Sequence, residues 1–477
     1  MFDVVVIGGG VIGGTILREL SRYKGSFCLL EARDDVAMGQ SRANSGIVHA
    51  GFDAVEGSLK AKFNVLGNKM MPEYAKELGV KYANNGSLVL GFNDEDLKTL
   101  KGLKERGERN GVQGLEILDQ ETVRALEPNL KETVTCALHA PTGGIICPYE
   151  LTIASIGNAM DNGAELLCEF DVCEINKEND LFTVTAKDGR SVTAKTIINC
   201  AGFNSAVIST LAGDGSFTVN GRKGEYILLD RESGDFVSHT LFTAPTKAGK
   251  GVLVTQTVDN NILLGPTATE QGRDENANTS PEGLNFIIEK VNAMCKNVPL
   301  YNTITSFAGV RAYNDRHDFI IEESKVVKGL INCAGIESPG LTSAPAIAKY
   351  VVEVLVKGIL TLDANPNFNG VRKPDYFFKN LTNEQKNEVI KKDNRYGKMV
   401  CRCEQITEGE IVRAIRENPP ARSVSAVKRR TRAGMGRCQG GFCQSQVVEI
   451  LARELGVSYE QITLNGKGSH IVVGKSK

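Results

Sequence analysis

The chain has 477 residues, of which 41% are hydrophobic and 24% are charged, with 50 glycines. This length predicts two or three domains, and the composition is typical of a globular protein rich in α/β crossings. The formal net charge of −1 excludes a dedicated nucleic-acid-binding protein, whose basic footprint would extend over a domain. No apolar run approaches the roughly 20 residues that span a bilayer, and no secretory signal is expected at the N-terminus. With twelve cysteines, the chain is expected in the reducing cytoplasm, or at a membrane surface through partner subunits.

A glycine-rich turn connects a strand to a helix near the N-terminus. Residues 4–7 form a β-branched run, and residues 11–20 have a helical pattern. Gly8, Gly10 and Gly13 match the G-x-G-x-x-G pattern of dinucleotide-binding domains. The first glycine allows the tight turn, the second lets the backbone approach a pyrophosphate, and the third lets helix and strand pack closely. The N–H groups at the start of the helix would face the phosphate charge.

An acidic residue follows the second predicted strand. The apolar run 28–30 ends at Glu31, eighteen residues after Gly13. A carboxylate at this place hydrogen-bonds ribose hydroxyls and disfavours the 2′-phosphate of NADP. The fingerprint therefore predicts a bound dinucleotide and leaves FAD and NAD open.

The segment after this acid carries a family resemblance. Residues 41–52 read SRANSGIVHAGF, a loop of small and polar residues with one histidine. The loop resembles the flavin-contacting segment of the D-amino-acid-oxidase-like FAD superfamily, which includes glycerol-3-phosphate and 2-hydroxyglutarate dehydrogenases. The resemblance covers most of residues 1–360 and continues in four segments: NCAGFNS at 199–205, KGEY at 223–226, GVLVTQTVDNNILLGPTA at 251–268 and INCAGIESPGLTSAPA at 331–346.

The resemblance implies that the dinucleotide is FAD. It implies that one group of residues lines the flavin, that Val172 meets the adenine side, and that another group closes over the ring system. The first group is Gln40, Ser41, Asn44 and Ser45, and Ala201 and Gly202 are further cofactor-binding candidates. The second group is Gly335, Gly340, Leu341 and Thr342.

Four residues are candidates for catalysis or substrate binding. His49 is the candidate base, because histidine titrates near neutral pH and this loop is expected to face the flavin; it could instead orient the flavin. Arg311, in FAGVRAY, resembles the arginine that the superfamily directs at the substrate's anionic group, and its fork suits a carboxylate or phosphate. A structural salt bridge is the alternative for Arg311. Tyr226 and Lys223 are weaker candidates for a second anion contact or an active-site hydrogen bond.

A cysteine quartet stands near the C-terminus, spaced C-x-C and C-x4-C. Its members are Cys401, Cys403, Cys438 and Cys443. Closely paired thiolates favour an iron–sulfur cluster. A structural zinc site, which usually has C-x2-4-C pairs, and an empty site are the alternatives. Thr407 and Glu410 predict a capping box that opens a helix after the first pair.

The C-terminal module resembles the bacterioferritin-associated-ferredoxin-like 2Fe–2S domain. Residues 428–443, KRRTRAGMGRCQGGFC, are similar to the C-terminal segment of the A-subunit family of anaerobic glycerol-3-phosphate dehydrogenases. The basic residues of this segment have three interpretations: a solvated face, an offset to the charge of the cluster, or a docking site for an acidic partner.

The order of the elements predicts an α/β protein. It would have an FAD-binding Rossmann-like domain with an inserted β-rich substrate domain, plus a small helical iron–sulfur domain. The predicted boundaries are 1–80, 146–220 and 310–360 for the discontinuous FAD-binding domain, 81–145 and 221–309 for the substrate domain, 361–397 for a linker, and 398–460 for the 2Fe–2S domain.

These features together favour a flavin dehydrogenase that releases electrons singly through a 2Fe–2S cluster to a partner protein, in a hetero-oligomer. The C-terminal segment favours the oxidation of glycerol 3-phosphate to dihydroxyacetone phosphate. Residues 45–62 and 338–346 equally resemble L-2-hydroxyglutarate dehydrogenase. Both substrates are small dianions with a secondary alcohol, so cations around Arg311 would suit either. An amine or imino-acid dehydrogenase subunit and a non-catalytic electron carrier are further alternatives.

Overall fold

A computed structural model of the protein describes residues 1–245, 251–372 and 377–474. The strands in these residues are β1 (Phe2–Ile7), β2 (Phe27–Leu30), β3 (Ile47–Val48), β4 (Tyr82–Ala83), β5 (Ser87–Gly91), β6 (Glu116–Asp119), β7 (Cys136–Ala140), β8 (Gly144–Ile146), β9 (Glu165–Leu167), β10 (Val172–Glu178), β11 (Leu181–Ala186), β12 (Ser191–Asn199), β13 (Asn220–Leu229), β14 (Thr240–Thr243), β15 (Leu253–Gln256), β16 (Ile262–Gly265), β17 (Thr269–Gly272), β18 (Thr303–Tyr313), β19 (Ile320–Glu323), β20 (Leu330–Ala334), β21 (Met399–Cys401) and β22 (Ile406–Thr407). The helices are α1 (Val11–Leu20), α2 (Leu59–Leu78), α3 (Asp94–Arg109), α4 (Gln120–Leu126), α5 (Pro148–Asp161), α6 (Ser205–Leu211), α7 (Pro281–Met294), α8 (Gly340–Tyr350), α9 (Lys357–Ile359), α10 (Asn383–Lys392), α11 (Glu408–Arg416), α12 (Val424–Thr431) and α13 (Gln444–Leu455).

The first sheet is built around parallel strands. β1 lies between β2 and β12, with β9 beyond β2 and β20 beside the end of β12. The hairpin β10–β11 pairs antiparallel with the start of β12, and β19 pairs antiparallel with β20. Val4 and Val6 pack in a core with α1, α5 and α8, whereas Val5 and Ile7 pack in a second core with α6. Burial on both faces explains the uninterrupted apolar run of β1.

The carboxyl ends of the parallel strands meet at one edge of this sheet. The glycine-rich turn follows β1, Glu31 follows β2, Cys200 follows β12 and Gly335 follows β20. Ligands of open α/β sheets bind beyond this edge. The topology therefore brings four separated parts of the chain to one place.

The second sheet is mainly antiparallel, with strand order β17, β13, β16, β15, β14, β5, β7 and β6. β18 pairs along the length of β13, which places Arg311 opposite Arg222 and Phe307 opposite Tyr226. One face of the sheet packs on α7 around a core that includes Ile287. This long ladder fixes the positions of two predicted site residues, Tyr226 and Arg311.

The C-terminal module consists of the β21–β22 hairpin and helices α11, α12 and α13 around a core of their own. The Thr407 side chain accepts a hydrogen bond from the Glu410 N–H, and the Glu410 side chain accepts one from the Thr407 N–H. The predicted capping box is confirmed. Cys443 is the N-cap residue of α13.

Arginines of α12 and the following residue join this module to the rest of the chain. Arg429 and Arg430 lie 2.6 and 2.8 Å from the carboxylate of Asp35, and Arg432 lies 2.6 Å from that of Asp259. The three arginine side chains are at most 7% exposed. For these three arginines the interpretation as a solvated face is wrong, because their side chains are buried against acids of the same chain, whereas the side chain of Arg437 is 58% exposed.

The domain boundaries stay predictions, although the two sheets draw on separated stretches of sequence. The predicted linker contains α10, and its residues 373–376 lie outside the described residues. Within the part of the chain that the structure describes, no helix has both the length and the apolar content needed to cross a bilayer.

Candidate active site

A cavity of about 450 Å³ opens beyond the carboxyl ends of β1, β2, β12 and β20 and is bounded on the other side by the second sheet. Most of the predicted site residues line this cavity, which we call the flavin cavity. They are Gly8, Gly10, Glu31, Gln40, Ser41, Asn44, Ser45, His49, Val172, Ala201, Gly202, Tyr226, Arg311, Gly340 and Leu341.

Three predicted residues lie behind its wall. A Cβ atom on Gly13 would stand 2.0 Å from the carbonyl oxygen of Gly8, so Gly13 allows close packing of turn and helix. Gly335 has a φ of +60°, and a Cβ atom there would meet the side chain of Asn314 at 1.9 Å. The Thr342 hydroxyl accepts a hydrogen bond from the His49 N–H at 2.9 Å. These residues shape the wall of the cavity.

The glycine-rich turn lies at the wall of the cavity, at the N-terminus of α1. Gly8 has a φ of +115°, and a Cβ atom there would stand 2.4 Å from the carbonyl oxygen of Cys200. Gly10 is the N-cap residue of α1, and the Val11 N–H donates to the Ser41 Oγ atom at 2.9 Å. The backbone can therefore approach a pyrophosphate at the positive end of α1.

Glu31 follows β2 and lines the flavin cavity. Its carboxylate accepts hydrogen bonds from the N–H groups of Gly9 and Arg33, both at 2.8 Å. Burial raises the pKa of Glu31, and these two hydrogen bonds oppose that shift. An ionised carboxylate has further lone pairs that can accept from ribose hydroxyls. The open glycine turn, the helix N-terminus and this acid together fit the adenosine diphosphate part of FAD.

The loop between Gln40 and Gly46 is shaped by its own polar side chains. Gln40 accepts from the Ala312 N–H at 3.0 Å and donates to the Ile336 carbonyl at 3.2 Å, so it joins the loop to both sheets. Asn44 donates to the Gln40 carbonyl at 3.1 Å and accepts from the Gly46 N–H at 2.9 Å. A loop fixed in this way presents a rigid wall to a bound ring system.

His49 is held on both sides. Its Nε2 atom lies 3.1 Å from the Ser338 Oγ atom, and its ring stacks on Phe242 with centroids 5.9 Å apart. Its carbonyl oxygen accepts a hydrogen bond from the Asn64 amide at 2.7 Å. The imidazole is thus fixed at the cavity wall with one nitrogen beside a hydroxyl.

Arg311 and Tyr226 lie on paired strands. The Arg311 guanidinium donates to the Thr267 carbonyl at 2.7 Å and to the Arg222 carbonyl at 3.4 Å. Within residues 1–245, 251–372 and 377–474, the structure gives Arg311 no carboxylate partner. Burial raises the pKa of Tyr226, while the charge of Arg311 and a hydrogen bond with Ser45 oppose the shift. A neutral phenol and a guanidinium therefore face the cavity together.

Sequence reasoning missed Ser338, Phe242 and Glu337. Ser338 and Glu337 lie inside the 331–346 segment, so a search for polar residues after the last parallel strand could have found them. Phe242 belongs to β14 and contacts His49 from another part of the chain, and no local pattern marks it.

The four cysteines of the C-terminal module form two pairs. The sulfur atoms of Cys403 and Cys438 are 3.7 Å apart. Two thiolates bound to one tetrahedral metal at about 2.3 Å would be about 3.8 Å apart. The other pair is Cys401 and Cys443, and the hydrogen bond between them lowers the pKa of Cys401 to about 6. Both of these thiols are buried.

The arrangement suits a binuclear centre. Among the described residues, no three His, Cys, Asp or Glu side chains are placed to hold a single metal ion. Two pairs of thiolates would suit the all-cysteine ligation of a 2Fe–2S cluster.

Comparison with protein families supplies the identity of both parts. Residues 3–354 match the family model described as FAD dependent oxidoreductase. The chain belongs to this family. Residues 399–453 of the oxidoreductase match the model described as BFD-like [2Fe-2S] binding domain. The predicted cofactors, FAD and a 2Fe–2S cluster, are confirmed.

Several known proteins are similar to this oxidoreductase. It is 48% identical over 478 residues to a glycerol 3-phosphate dehydrogenase of Caloramator mitchellensis, covering 100% of this chain and 99% of the relative. It is 29% identical over 273 residues to an L-2-hydroxyglutarate dehydrogenase of Escherichia coli strain K12, covering 56% of this chain and 64% of the relative. The structure matches dithionite-reduced L-alpha-glycerophosphate oxidase of Mycoplasma pneumoniae with FAD bound, with a TM-score of 0.75 and 29% identity over 79% of this chain and 99% of that one. The predicted fold class is confirmed.

Proposed function

We propose that this oxidoreductase oxidises glycerol 3-phosphate to dihydroxyacetone phosphate and passes the electrons through its 2Fe–2S cluster to a partner protein. The observation that carries the substrate is the 48% identity to a glycerol 3-phosphate dehydrogenase, because the match extends over the whole chain, including the region that holds the cysteine quartet. The oxidase of known structure matches only 79% of this chain. A second redox centre favours a dehydrogenase, since an oxidase needs only access for oxygen.

L-2-hydroxyglutarate is the weaker candidate substrate. Its dehydrogenase matches 56% of the chain, at lower identity than the full-length relative. The two substrates share a secondary alcohol and two negative charges, so Arg311 could bind either one. The choice of glycerol 3-phosphate therefore depends on the full-length similarity.

The residues of the flavin cavity have distinct proposed roles. Arg311 binds the phosphate, because its contacts with two carbonyls leave guanidinium N–H groups for an anion. His49 accepts the proton of the C2 hydroxyl, and Ser338 holds its imidazole in place. Tyr226 donates a hydrogen bond as a neutral phenol. When bound, FAD accepts hydride from C2, and a 2Fe–2S cluster carries one electron at a time.

We also propose that the protein works in the cytoplasm, or at a membrane surface through acceptor subunits with which it forms a hetero-oligomer. All twelve cysteines are free thiols in the structure. Free thiols on this scale suit a reducing compartment.

Anaerobic mixing of the holoenzyme with each candidate substrate tests the proposal. We expect glycerol 3-phosphate to bleach the flavin absorbance and L-2-hydroxyglutarate and amino acids to leave it unchanged. Bleaching by L-2-hydroxyglutarate alone would show that L-2-hydroxyglutarate, and not glycerol 3-phosphate, is the substrate. Bleaching by none of them would favour a non-catalytic electron carrier.

A further inference from the structure

A second cavity of about 340 Å³ adjoins the flavin cavity. His49, Arg311, Glu337 and Ser338 line both spaces, so the two cavities meet at the candidate catalytic residues. The second cavity extends from there to the first turn of α2 and to β13. A substrate bound beside His49 would have one end in this space.

An ion-pair triad stands in the wall of the second cavity. One carboxylate oxygen of Glu337 lies 3.0 Å from Lys60 Nζ, and the other lies 3.5 Å from a guanidinium nitrogen of Arg222. The Lys60 and Glu337 side chains are each 17% exposed, and that of Arg222 is 28% exposed. Partial burial strengthens charge interactions relative to those in water. One carboxylate therefore holds two cations at the wall of the second cavity.

The second cavity carries an excess of positive charge. Among the residues that the structure describes, its charged lining residues are the cations Lys60, Arg222 and Arg311 and the anions Asp53 and Glu337, before any protonation of a lining histidine. The α2 N–H groups of residues 59 and 60 do not contribute to this excess, because the Asp318 carboxylate accepts both. The excess positive charge therefore comes from side chains that can contact an anion in the cavity.

We propose that the second cavity binds the phosphate group of the substrate between Lys60, Arg222 and Arg311, and that Glu337 is an internal anion which the phosphate displaces. The inference rests on the proposed function and names the anion site of that reaction. In the unliganded protein Glu337 pairs with both cations, and Arg222 also pairs with Glu270 at 3.3 Å. A dianionic phosphate offers them twice the charge of one carboxylate, whereas a monoanion offers no gain over Glu337.

This exchange makes the triad a specificity determinant. An anion binds in place of Glu337 only to the extent that the cations attract it more strongly than they attract the Glu337 carboxylate. Dianions are therefore preferred to monoanions of the same size. A triad with only a structural role would show no preference for dianions. Removal of Glu337 would then weaken the site.

Calorimetric titration of the oxidised holoenzyme with inorganic phosphate tests the inference without turnover. We expect Lys60→Gln and Arg222→Gln to raise the phosphate Kd by about tenfold each, as expected for loss of a charged hydrogen bond. Glu337→Gln removes the competing anion and should lower the phosphate Kd several-fold. Lys60→Arg, which keeps the charge, should restore most of the affinity.

Lys62→Gln is the matched control, because Lys62 is an exposed lysine of the same helix and does not line the second cavity. It should bind phosphate as the wild type does. Equal phosphate affinity in the wild type, Lys60→Gln and Glu337→Gln would overturn the inference, as would weaker binding in Glu337→Gln. The phosphate titration tests the anion site even if glycerol 3-phosphate fails to bleach the flavin. Failure of the proposed function is therefore detected by the bleaching experiment, and failure of the anion site by the titration.

Discussion

The Nε2 atom of His49 lies 3.1 Å from the Oγ atom of Ser338, where the two cavities meet. The two residues are separated by 289 positions in the sequence. His49 follows the short strand β3, and Ser338 precedes α8. The packing of the first sheet and its helices therefore orients the imidazole toward the space in which the alcohol would bind.

Replacement of His49 by glutamine should slow flavin reduction by about 10²-fold to 10⁴-fold, the usual contribution of a general base. The FAD content should stay the same, because the residues predicted to bind the pyrophosphate and ribose of FAD lie elsewhere in the cavity. Stopped-flow reduction by glycerol 3-phosphate measures the rate. An unchanged rate with altered FAD content would show instead that His49 orients the flavin.

Replacement of Arg311 by alanine should raise KM for glycerol 3-phosphate by about 100-fold, because it removes a charge-assisted contact with the phosphate. The lysine variant should recover part of the loss, since it restores the charge without the fork geometry. Steady-state kinetics with an artificial acceptor measures both variants. Unchanged KM values would show that the anion binds elsewhere.

Replacement of Cys403 by serine should remove the 2Fe–2S cluster and leave the FAD site intact. The holoenzyme should lose its iron and acid-labile sulfide, while glycerol 3-phosphate still bleaches the flavin. Cys173→Ser is the control, because Cys173 is an exposed thiol on β10. Retention of a full cluster in Cys403→Ser would contradict the ligand assignment.

Asp35→Asn should weaken the attachment of the C-terminal module. Burial raises the pKa of Asp35, but the charges and hydrogen bonds of Arg430 and Arg429 outweigh this effect, so the net pKa is lowered. Because the pKa of Asp35 is lower in the native state than the unfolded-state value of about 3.9, its ionisation stabilises the fold at pH values above about 3.9. This stabilisation is lost as the pH falls through the native pKa. Removing the charge at neutral pH should cost about 3 kcal/mol, because two buried arginines lose their partner.

Thermal unfolding of both proteins as a function of pH checks this expectation. The difference in Tm between wild type and Asp35→Asn should be largest at neutral pH and should decrease below about pH 4. Asp171→Asn breaks an exposed pair with Lys187, and the resulting change in Tm should be much smaller than that of Asp35→Asn. A difference in Tm that does not change with pH would exclude the ion pairs as its cause.

Local patterns allowed the first βαβ unit to be predicted from the sequence. Gly8, Gly10 and Glu31 line the flavin cavity because their spacing alone places them at one sheet edge. The capping box of Thr407 and Glu410 is local in the same way. Such features depend on neighbours within a few turns of the chain.

The remaining relationships depend on the tertiary structure. The basic run after residue 427 gave no sign of which acid it meets, and Arg429 reaches Asp35 across 394 positions. In the same way, Glu337 meets Lys60 across 277 positions. Charge in a sequence indicates that a partner exists, but only the packing of the sheets shows which residue it is.

Electron paramagnetic resonance of the anaerobic holoenzyme, frozen after mixing with glycerol 3-phosphate, tests the central claim most directly. We expect the signal of a reduced 2Fe–2S cluster in the wild type, and a delayed signal in His49→Gln. A flavin that is bleached while the cluster stays oxidised at every mixing time would contradict the proposal that the electrons leave through the cysteine quartet.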